Sequence, residues 1–204
     1  VTGVQTCALP IYSETDSLRL GRMLAKKLGI TFVLEDIGPM LTAAGCYERR
    51  DACIRKLVPE YGPGWKSKIA LPTGFGTDAL KLFSLIYEDP GGSQRSVRLS
   101  SEAYLAIVAA TNFKQRVRKM LEYHYADLHQ YCVAGTPNRL EYDQGFFVKL
   151  GDGAADLKPI AHLYKTQVYR LAEYLGVPDD IRHRPPTTDT YSLEQSQDRK
   201  STRL

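Results

Sequence analysis

Residues 135–165 read GTPNRLEYDQGFFVKLGDGAADLKPIAHLYK. This stretch follows YCVAG at 131–135, which predicts a central strand. In doubly wound α/β sheets, ligands bind outside the carboxyl ends of the strands. The stretch also combines acidic groups, lysines and a Gly-Asp-Gly turn. We therefore expect residues 135–165 to be arranged around a charged ligand.

Several side chains in this stretch suit a phosphate and its counter-ion. Thr136 stands at the end of the predicted strand, where ligand-contacting groups are delivered. Glu141 can reach a divalent cation, since Mg²⁺ prefers one or two carboxylates plus phosphate oxygens. Lys149 and Lys165 add positive charge, and Lys165 begins a predicted helix, whose free amides favour a phosphate. Together they indicate a nucleoside triphosphate with Mg²⁺.

Two neighbouring segments extend this hypothesis. GDGAAD at 151–156 supplies glycines that permit positive φ and close backbone approach, with Asp152 and Asp156 aimed at a polar ligand. Its alternative is an ordinary surface turn, because GDG alone is a weak signal. RPPTTDTYS at 184–192 predicts a loop that offers Thr187, Thr188 and Asp189.

The chain before this stretch begins with a predicted helix and strand. A helix over 13–29 leads into ITFVLEDI at 30–37, a short β-branched run typical of a buried strand. A helix followed by a strand is the alternation typical of a doubly wound α/β sheet. Glu35 and Asp36, at the end of this strand, are placed equally well to contact a ligand or to cap the next helix.

The middle of the chain does not follow this alternation of helix and strand. Residues 39–58 are predicted to be helical with an interruption at Gly45, and a Gly- and Pro-rich long loop follows at 61–81. Two strand-like runs around PGG predict a β-hairpin over 82–99, inserted into the α/β pattern. Helices are predicted again over 101–111 and 112–130.

The second of those helices has a basic beginning. Lys114, Arg116, Arg118 and Lys119 lie in its first half, where cations oppose the helix dipole unless an anion or acidic partner is present. A solvated basic face is the alternative interpretation.

The composition of the chain limits the classes of function that it can have. The 204 residues suffice for one domain with a sizeable core, and no apolar run approaches the length of a membrane span. The net charge of +4 comes without a basic stripe or tail, which argues against nucleic acid as a partner. Four cysteines without CxxC spacing are typical of reduced thiols in a cytoplasmic protein. Four scattered histidines indicate neither a zinc site nor a His-based triad.

Both ends differ in character from the rest. VTGVQTCALPIY at 1–12 and DRKSTRL at 198–204 resemble translated sequencing adapters. We expect residues 1–12 to be a non-native leader, 13–197 to be a partial domain and 198–204 to be a non-native tail.

Four segments together resemble the NAD synthase family: LRLGRMLAKKLGI at 18–30, NFKQRVRKMLEY at 112–123, the run from VAGTPNRLEYDQGFF to LGVP at 133–178, and RPPTTDTYSLEQSQ at 184–197. The resemblance covers residues 16–197. It implies an α/β fold of the adenine-nucleotide α-hydrolase (Rossmann-like) type, with a parallel sheet and flanking helices. It also implies a homodimer that uses ATP and Mg²⁺ to adenylate the nicotinate carboxylate of deamido-NAD, after which ammonia displaces AMP.

The family's ligand contacts carry over onto positions of this sequence. The resemblance implies ATP binding by Thr136, Lys165 and Thr187, and a magnesium contact by Glu141. It implies deamido-NAD binding by Arg116, Lys149 and Asp156. No catalytic residue is assigned.

One family motif is missing from the printed sequence. The pyrophosphate loop of the form SGGxDS, which follows the family's first strand, does not occur in it. We therefore expect an incomplete parallel sheet with unpaired edges and little or no synthase activity from this chain. Release of AMP from ATP, deamido-NAD and ammonia by the chain would contradict that expectation.

Three other interpretations remain open at this point. The chain could be the synthase domain of a glutamine-dependent enzyme, or a non-catalytic nucleotide-binding or dimerisation module. A GMP-synthase-like amidotransferase partner is a third, against which the pattern from GTPNRLEYDQGFF to GDGAAD argues.

Overall fold

The computed structural model describes residues 4–9, 15–70, 83–184 and 191–193. The strands in this part are β1 (Val4–Leu9), β2 (Thr31–Asp36), β3 (Lys66–Ala70), β4 (Ser84–Glu88) and β5 (Gln94–Arg98). The helices are α1 (Thr15–Leu28), α2 (Gly38–Ala43), α3 (Cys46–Arg55), α4 (Ser101–Thr111), α5 (Phe113–His129), α6 (Arg139–Asp143), α7 (Lys165–Tyr174) and α8 (Asp179–Arg182).

A parallel pair of strands begins the fold. β1 runs beside β2 in a register from Val4 opposite Thr31 to Leu9 opposite Asp36, and α1 forms the connection between them. This is the βαβ arrangement of an α/β fold. The assignment of 1–12 to a non-native leader concerns the origin of those residues, so it stays a prediction, as do the boundaries at 13–197 and 198–204.

The predicted hairpin is confirmed and is part of a larger sheet. β4 and β5 pair antiparallel around the turn at PGG, where Gly92 has φ +86°. In this turn, Ser93 N donates to Asp89 Oδ1 at 3.0 Å. β3 pairs antiparallel with β4 on the other side. The prediction of one long loop over 61–81 is therefore wrong for β3, while 71–82 lie outside the described residues.

Alternating burial explains why β3 forms. Ser67 and Ile69 are buried and Lys66 is exposed, which is the period of a strand with one face on a core. The Gly and Pro residues on both sides hid this short alternation in the sequence.

The main core lies between the antiparallel sheet and helices α3 and α4. Its buried members are Ile54, Val58, Tyr61, Ile69, Leu85, Leu99 and Ile107. Trp65 packs at its edge, with ring centroids 5.8 Å from Tyr61 and 6.1 Å from Tyr87. The inserted sheet is thus an integral part of the hydrophobic core.

A second core joins the helices near the parallel strands. Ile37, Leu41, Cys46 and Leu121 are buried together between α2, α3 and α5. The predicted interruption at Gly45 is confirmed, because this glycine has φ +68° and ends α2 before α3 begins. Burial raises the pKa of the Cys46 thiol, which is a free cysteine.

The predicted central strand at 131–135 is wrong. In the described part of the chain, this segment forms only an isolated parallel bridge, between Ala134 and Leu157. Burial does alternate from Val133 to Pro137, so the chain is extended as the sequence indicates. No described strand lies beside it, and a ladder cannot form without a neighbour.

Among the described residues, no helix is long and apolar enough to cross a membrane.

Candidate functional site

The predicted site is built on the extended segment at 133–135, which is paired with residues 156–157. Asp156 N donates to Val133 O at 3.0 Å, and Gly135 N donates to Leu157 O at 2.8 Å. A Cβ on Gly135 would lie 2.7 Å from the Cβ of Ala155, so only glycine permits this approach. The beginning of the stretch at 135–165 is therefore held beside residues 156–157.

Asp156 holds this pairing with its side chain as well. Its Oδ2 accepts a hydrogen bond from Val133 N at 2.7 Å, and its Oδ1 accepts one from the Tyr123 hydroxyl at 3.2 Å. Tyr123 belongs to α5, so one carboxylate joins the extended segment to that helix. Burial and this hydrogen bond to a carboxylate both raise the pKa of Tyr123.

Arg116 and Lys149 are also brought together. Arg116, in the second turn of α5, donates from Nε to the carbonyl of Lys149 at 3.2 Å, and both residues are exposed. Arg116 and Tyr123 are seven residues apart on α5, which places them on one face two turns apart. Arg116, Lys149 and Asp156 therefore lie along the same side of α5.

Tyr123, which donates to Asp156 in the candidate site, was not expected from the sequence. The available signal was its spacing of seven from Arg116 on a predicted helix. Nothing local shows that its hydroxyl meets a carboxylate 33 residues later in the chain.

The Gly-Asp-Gly turn places Lys149 against α5 by close packing. A Cβ on Gly151 would lie 2.8 Å from Gln115 Cβ, and one on Gly153 would lie 2.2 Å from Cδ2 of Phe147. Asp152 Oδ1 accepts from Val148 N at 2.8 Å and closes the turn. The expected close approach of the glycines is confirmed.

The expected role of positive φ in this turn is wrong for the glycines. The positive φ, at +59°, belongs to Leu150, which precedes them. The Asp152 carboxylate accepts a hydrogen bond from Val148 N within its own turn. This agrees with the interpretation of the segment around Asp152 as a surface turn.

Glu141 lies in the first turn of α6 and closes a capping box. Its Oε2 accepts from Asn138 N at 2.9 Å, while Asn138 Oδ1 accepts from Leu140 N at 3.0 Å. One carboxylate oxygen of the half-buried Glu141 is thus engaged in the cap. The described residues contain no group of three His, Cys, Asp or Glu side chains that could hold a metal ion.

Lys165 begins α7, close to the start of α6. Arg139 N donates to Leu163 O at 2.9 Å, and the Arg139 guanidinium lies 5.0 Å from the centre of the Tyr164 ring. These contacts bring the half-buried Lys165 into the neighbourhood of the segment that contains Thr136, whose side chain is exposed. Thr187, Thr188 and Asp189 lie outside the described residues.

The basic beginning of α5 divides into buried and exposed side chains. Lys114 is 2% exposed, with Nζ 6.0 Å from the centre of the Tyr47 ring, and the buried Lys119 pairs with Glu122. Arg116 is the exposed member that faces the Lys149 turn. The interpretation as a uniformly solvated basic face is therefore wrong.

The two acidic residues after β2 have structural partners. Asp36 Oδ1 accepts from Gly38 N at 2.8 Å, at the beginning of α2, and Glu35 accepts from the Tyr125 hydroxyl. For Asp36 the capping interpretation is confirmed.

Comparison with known proteins connects these residues to one family. The family model of NAD synthase matches residues 93–202. Over 186 residues, the chain is 62% identical to the NH(3)-dependent NAD(+) synthetase of Rhizobium meliloti and 61% identical to that of Mesorhizobium japonicum. Each alignment covers 91% of this chain, but only 56% and 58% of the two relatives. The chain thus spans a little more than half the length of these curated relatives.

Solved structures show the same fold at lower identity. The NMN synthetase from Francisella tularensis matches 97% of this chain and 60% of its own, with a TM-score of 0.60 and 21% identity. The NH3-dependent NAD synthetase from Campylobacter jejuni, in complex with the nitrate ion, matches 88% of this chain and 55% of its own, with a TM-score of 0.54 and 20% identity. The predicted α/β fold of the adenine-nucleotide α-hydrolase type is therefore confirmed.

Proposed function

Because the chain belongs to the NAD synthase family, we propose that it carries one part of a site for the ATP-dependent amidation of deamido-NAD. The observation that supports this most is the arrangement of Arg116, Lys149 and Asp156 along one side of α5, held by the Arg116–Lys149 and Tyr123–Asp156 hydrogen bonds. These are the residues to which the resemblance to the family assigns the dinucleotide.

The chemistry proceeds in two displacement steps. A carboxylate oxygen of the nicotinate attacks the α-phosphorus of ATP, and pyrophosphate leaves. Ammonia then attacks the carboxyl carbon, loses a proton, and AMP leaves to give the amide. The first step is needed because a carboxylate is a poor electrophile until its oxygen becomes part of a good leaving group.

The positive charges of Arg116 and Lys149 support their assignment to the dinucleotide. Arg116 has five N–H donors, of which the Lys149 carbonyl uses one, so the guanidinium retains donors for a phosphate of deamido-NAD. Lys149 supplies a second exposed cation at the same place. Asp156 keeps the adjoining backbone in position and offers an acceptor to a hydroxyl or amide donor of the ligand.

We assign the ATP contacts to Thr136, Lys165 and Thr187. Lys165 combines its own charge with the amides of the first turn of α7, a ten-residue helix. Thr136 places an exposed hydroxyl at the end of the extended segment.

A magnesium ion fits these residues as a partner of the nucleotide phosphates. Glu141 can supply one carboxylate oxygen beside its capping bond, which suits Mg²⁺ held mainly by phosphates and water. The bound ion would offset negative charge on the phosphates. Glu141 holds the start of α6 in place whether or not the ion is bound.

The nitrogen donor and the assembly are further parts of this proposal. We propose ammonia as the donor, a cytoplasmic location and a homodimer in the complete enzyme. Exposed apolar side chains on and after α7, such as Tyr174 and Leu175 at 86% and 66% exposure, support an intersubunit surface. A sedimentation-equilibrium measurement that finds the complete enzyme strictly monomeric would reject the homodimer.

Replacing Arg116 with alanine tests the dinucleotide assignment. Loss of a charge-assisted hydrogen bond to phosphate is expected to weaken deamido-NAD binding by about tenfold or more, as measured by isothermal titration calorimetry. Arg95→Ala is the matched control, because Arg95 is an exposed arginine on β5 in the separate antiparallel sheet. Unchanged affinity of the Arg116 variant would reject the assignment.

The expectation of little synthase activity from this chain stays a prediction. The experiments proposed for its variants therefore measure ligand binding, which does not require turnover.

A further inference from the structure

A lysine without an assigned role lies at the end of the extended segment. Ala134 and Leu157 form a parallel bridge, and Gly135 N donates to Leu157 O at 2.8 Å. Because the two segments run in the same direction, the residues that follow the bridge lie at the same end of it. Lys158, which follows Leu157, is therefore placed beside the part of the chain that leads into Thr136.

Two contacts place the side chain of Lys158. Its aliphatic part packs on Gly135, where an added Cβ would lie 3.3 Å from Lys158 Cγ. Its ammonium nitrogen lies 5.2 Å from the centre of the Tyr142 ring on α6, which is a cation–π distance. Tyr142 directly follows Glu141, the proposed magnesium contact. The half-buried Lys158 thus reaches from the extended segment to α6.

No carboxylate offsets the charge of Lys158 within the part of the chain that the structure describes. Both carboxylate oxygens of Asp156, two residues earlier, accept hydrogen bonds from other protein donors. Arg139, the neighbouring cation on α6, is paired with Asp143 at 3.3 Å. A half-buried ammonium is less well screened by water than an exposed one, so it attracts an anion more strongly.

We propose that Lys158 is a further ATP-binding residue, which contacts a phosphate group between Thr136 and α6. The inference rests on the proposed function, since it concerns the binding of ATP. The ammonium group is a compact charge with three donors, which suits phosphate oxygens. The Tyr142 ring holds this group in place without neutralising it, so its charge remains available to the ligand. Lys158 would then offset phosphate charge together with Lys165.

Replacing Lys158 with methionine tests this role. The change removes the ammonium group but keeps an unbranched side chain against Gly135. We expect the Kd for ATP, measured with Mg²⁺ by titration calorimetry, to rise by about tenfold while the Kd for deamido-NAD stays within about twofold. ATP binding by the variant should also depend less on salt concentration, because salt screens a contact between charges.

Three further variants control for the substitution itself. Lys158→Arg keeps the charge and is expected to restore most of the ATP affinity. Lys56→Met removes an exposed lysine at the end of α3 and is expected to leave ATP binding unchanged. Circular dichroism checks that each variant is folded, and Lys158→Gln replaces the methionine variant if that protein does not fold.

The outcomes separate this inference from the proposed function. Equal ATP affinities for the Lys158→Met variant and the unmodified chain would overturn the inference and leave the proposed function intact. Weaker ATP binding with an unchanged salt dependence would assign Lys158 a packing role only, and would overturn the inference as well. An unmodified chain that does not bind ATP would instead reject the ATP part of the proposed function, and the inference with it.

Discussion

Replacing Asp156 with alanine is expected to abolish detectable deamido-NAD binding and to lower the free energy of unfolding by about 2 kcal/mol. The side chain accepts from Val133 N and from the Tyr123 hydroxyl, so the change leaves the N–H of the buried residue Val133 without a partner. Urea unfolding measures the stability, and titration calorimetry measures the binding.

Asp156→Asn separates the two effects. Asparagine keeps one side-chain oxygen for the Val133 N–H but removes the charge, so we expect most of the stability to return while dinucleotide binding stays weaker than in the unmodified chain. Asp127→Ala is the matched control, because Asp127 is an exposed acidic residue on α5 outside the site. An Asp156→Ala variant that binds deamido-NAD as tightly as the unmodified chain would contradict the assignment.

Replacing Gly153 with alanine is expected to have the second largest effect. The new methyl group would lie 2.2 Å from Cδ2 of Phe147, a distance that forces the ring or the turn to move. We expect a loss of about 1–3 kcal/mol in the free energy of unfolding, typical of overpacking. Because the same turn presents the Lys149 carbonyl to Arg116, weaker deamido-NAD binding should accompany the loss.

Gly62→Ala is the control for that substitution. The nearest atom to a Cβ at Gly62, the Glu60 carbonyl oxygen, is 3.8 Å away, so the added methyl group has room. We expect its stability to change by less than about 1 kcal/mol. Equal urea midpoints for the Gly153 and Gly62 variants would show that the Phe147 contact is relieved at little cost.

Local patterns predicted the elements that depend on nearby residues. The helix before β2, the strand β2, the break at Gly45 and the hairpin around PGG all follow from periodicity and turn chemistry within a few residues. The expected burial of β2 is wrong, because its residues are half-buried or exposed, Leu34 among them. β3 was missed because its five residues are flanked by Gly and Pro, and its pairing with β4 joins positions 14 to 22 residues apart.

The site shows the same division between local and long-range information. Arg116, Lys149 and Asp156 were assigned through a resemblance, and the structure places them along one side of α5. Sequence could not show that Asp156 also holds Val133 in place, because that contact depends on how two distant loops pack. For the same reason it predicted a ladder at 131–135 where only a bridge forms.

The central claim is that Arg116, Lys149 and Asp156 contact deamido-NAD. Titration calorimetry of deamido-NAD against the unmodified chain and the Asp156→Asn variant tests it most directly, with circular dichroism confirming that both are folded. We predict saturable binding by the unmodified chain and at least about tenfold weaker binding by the variant. Equal affinities for the two proteins, or no binding by a folded unmodified chain, would contradict the claim.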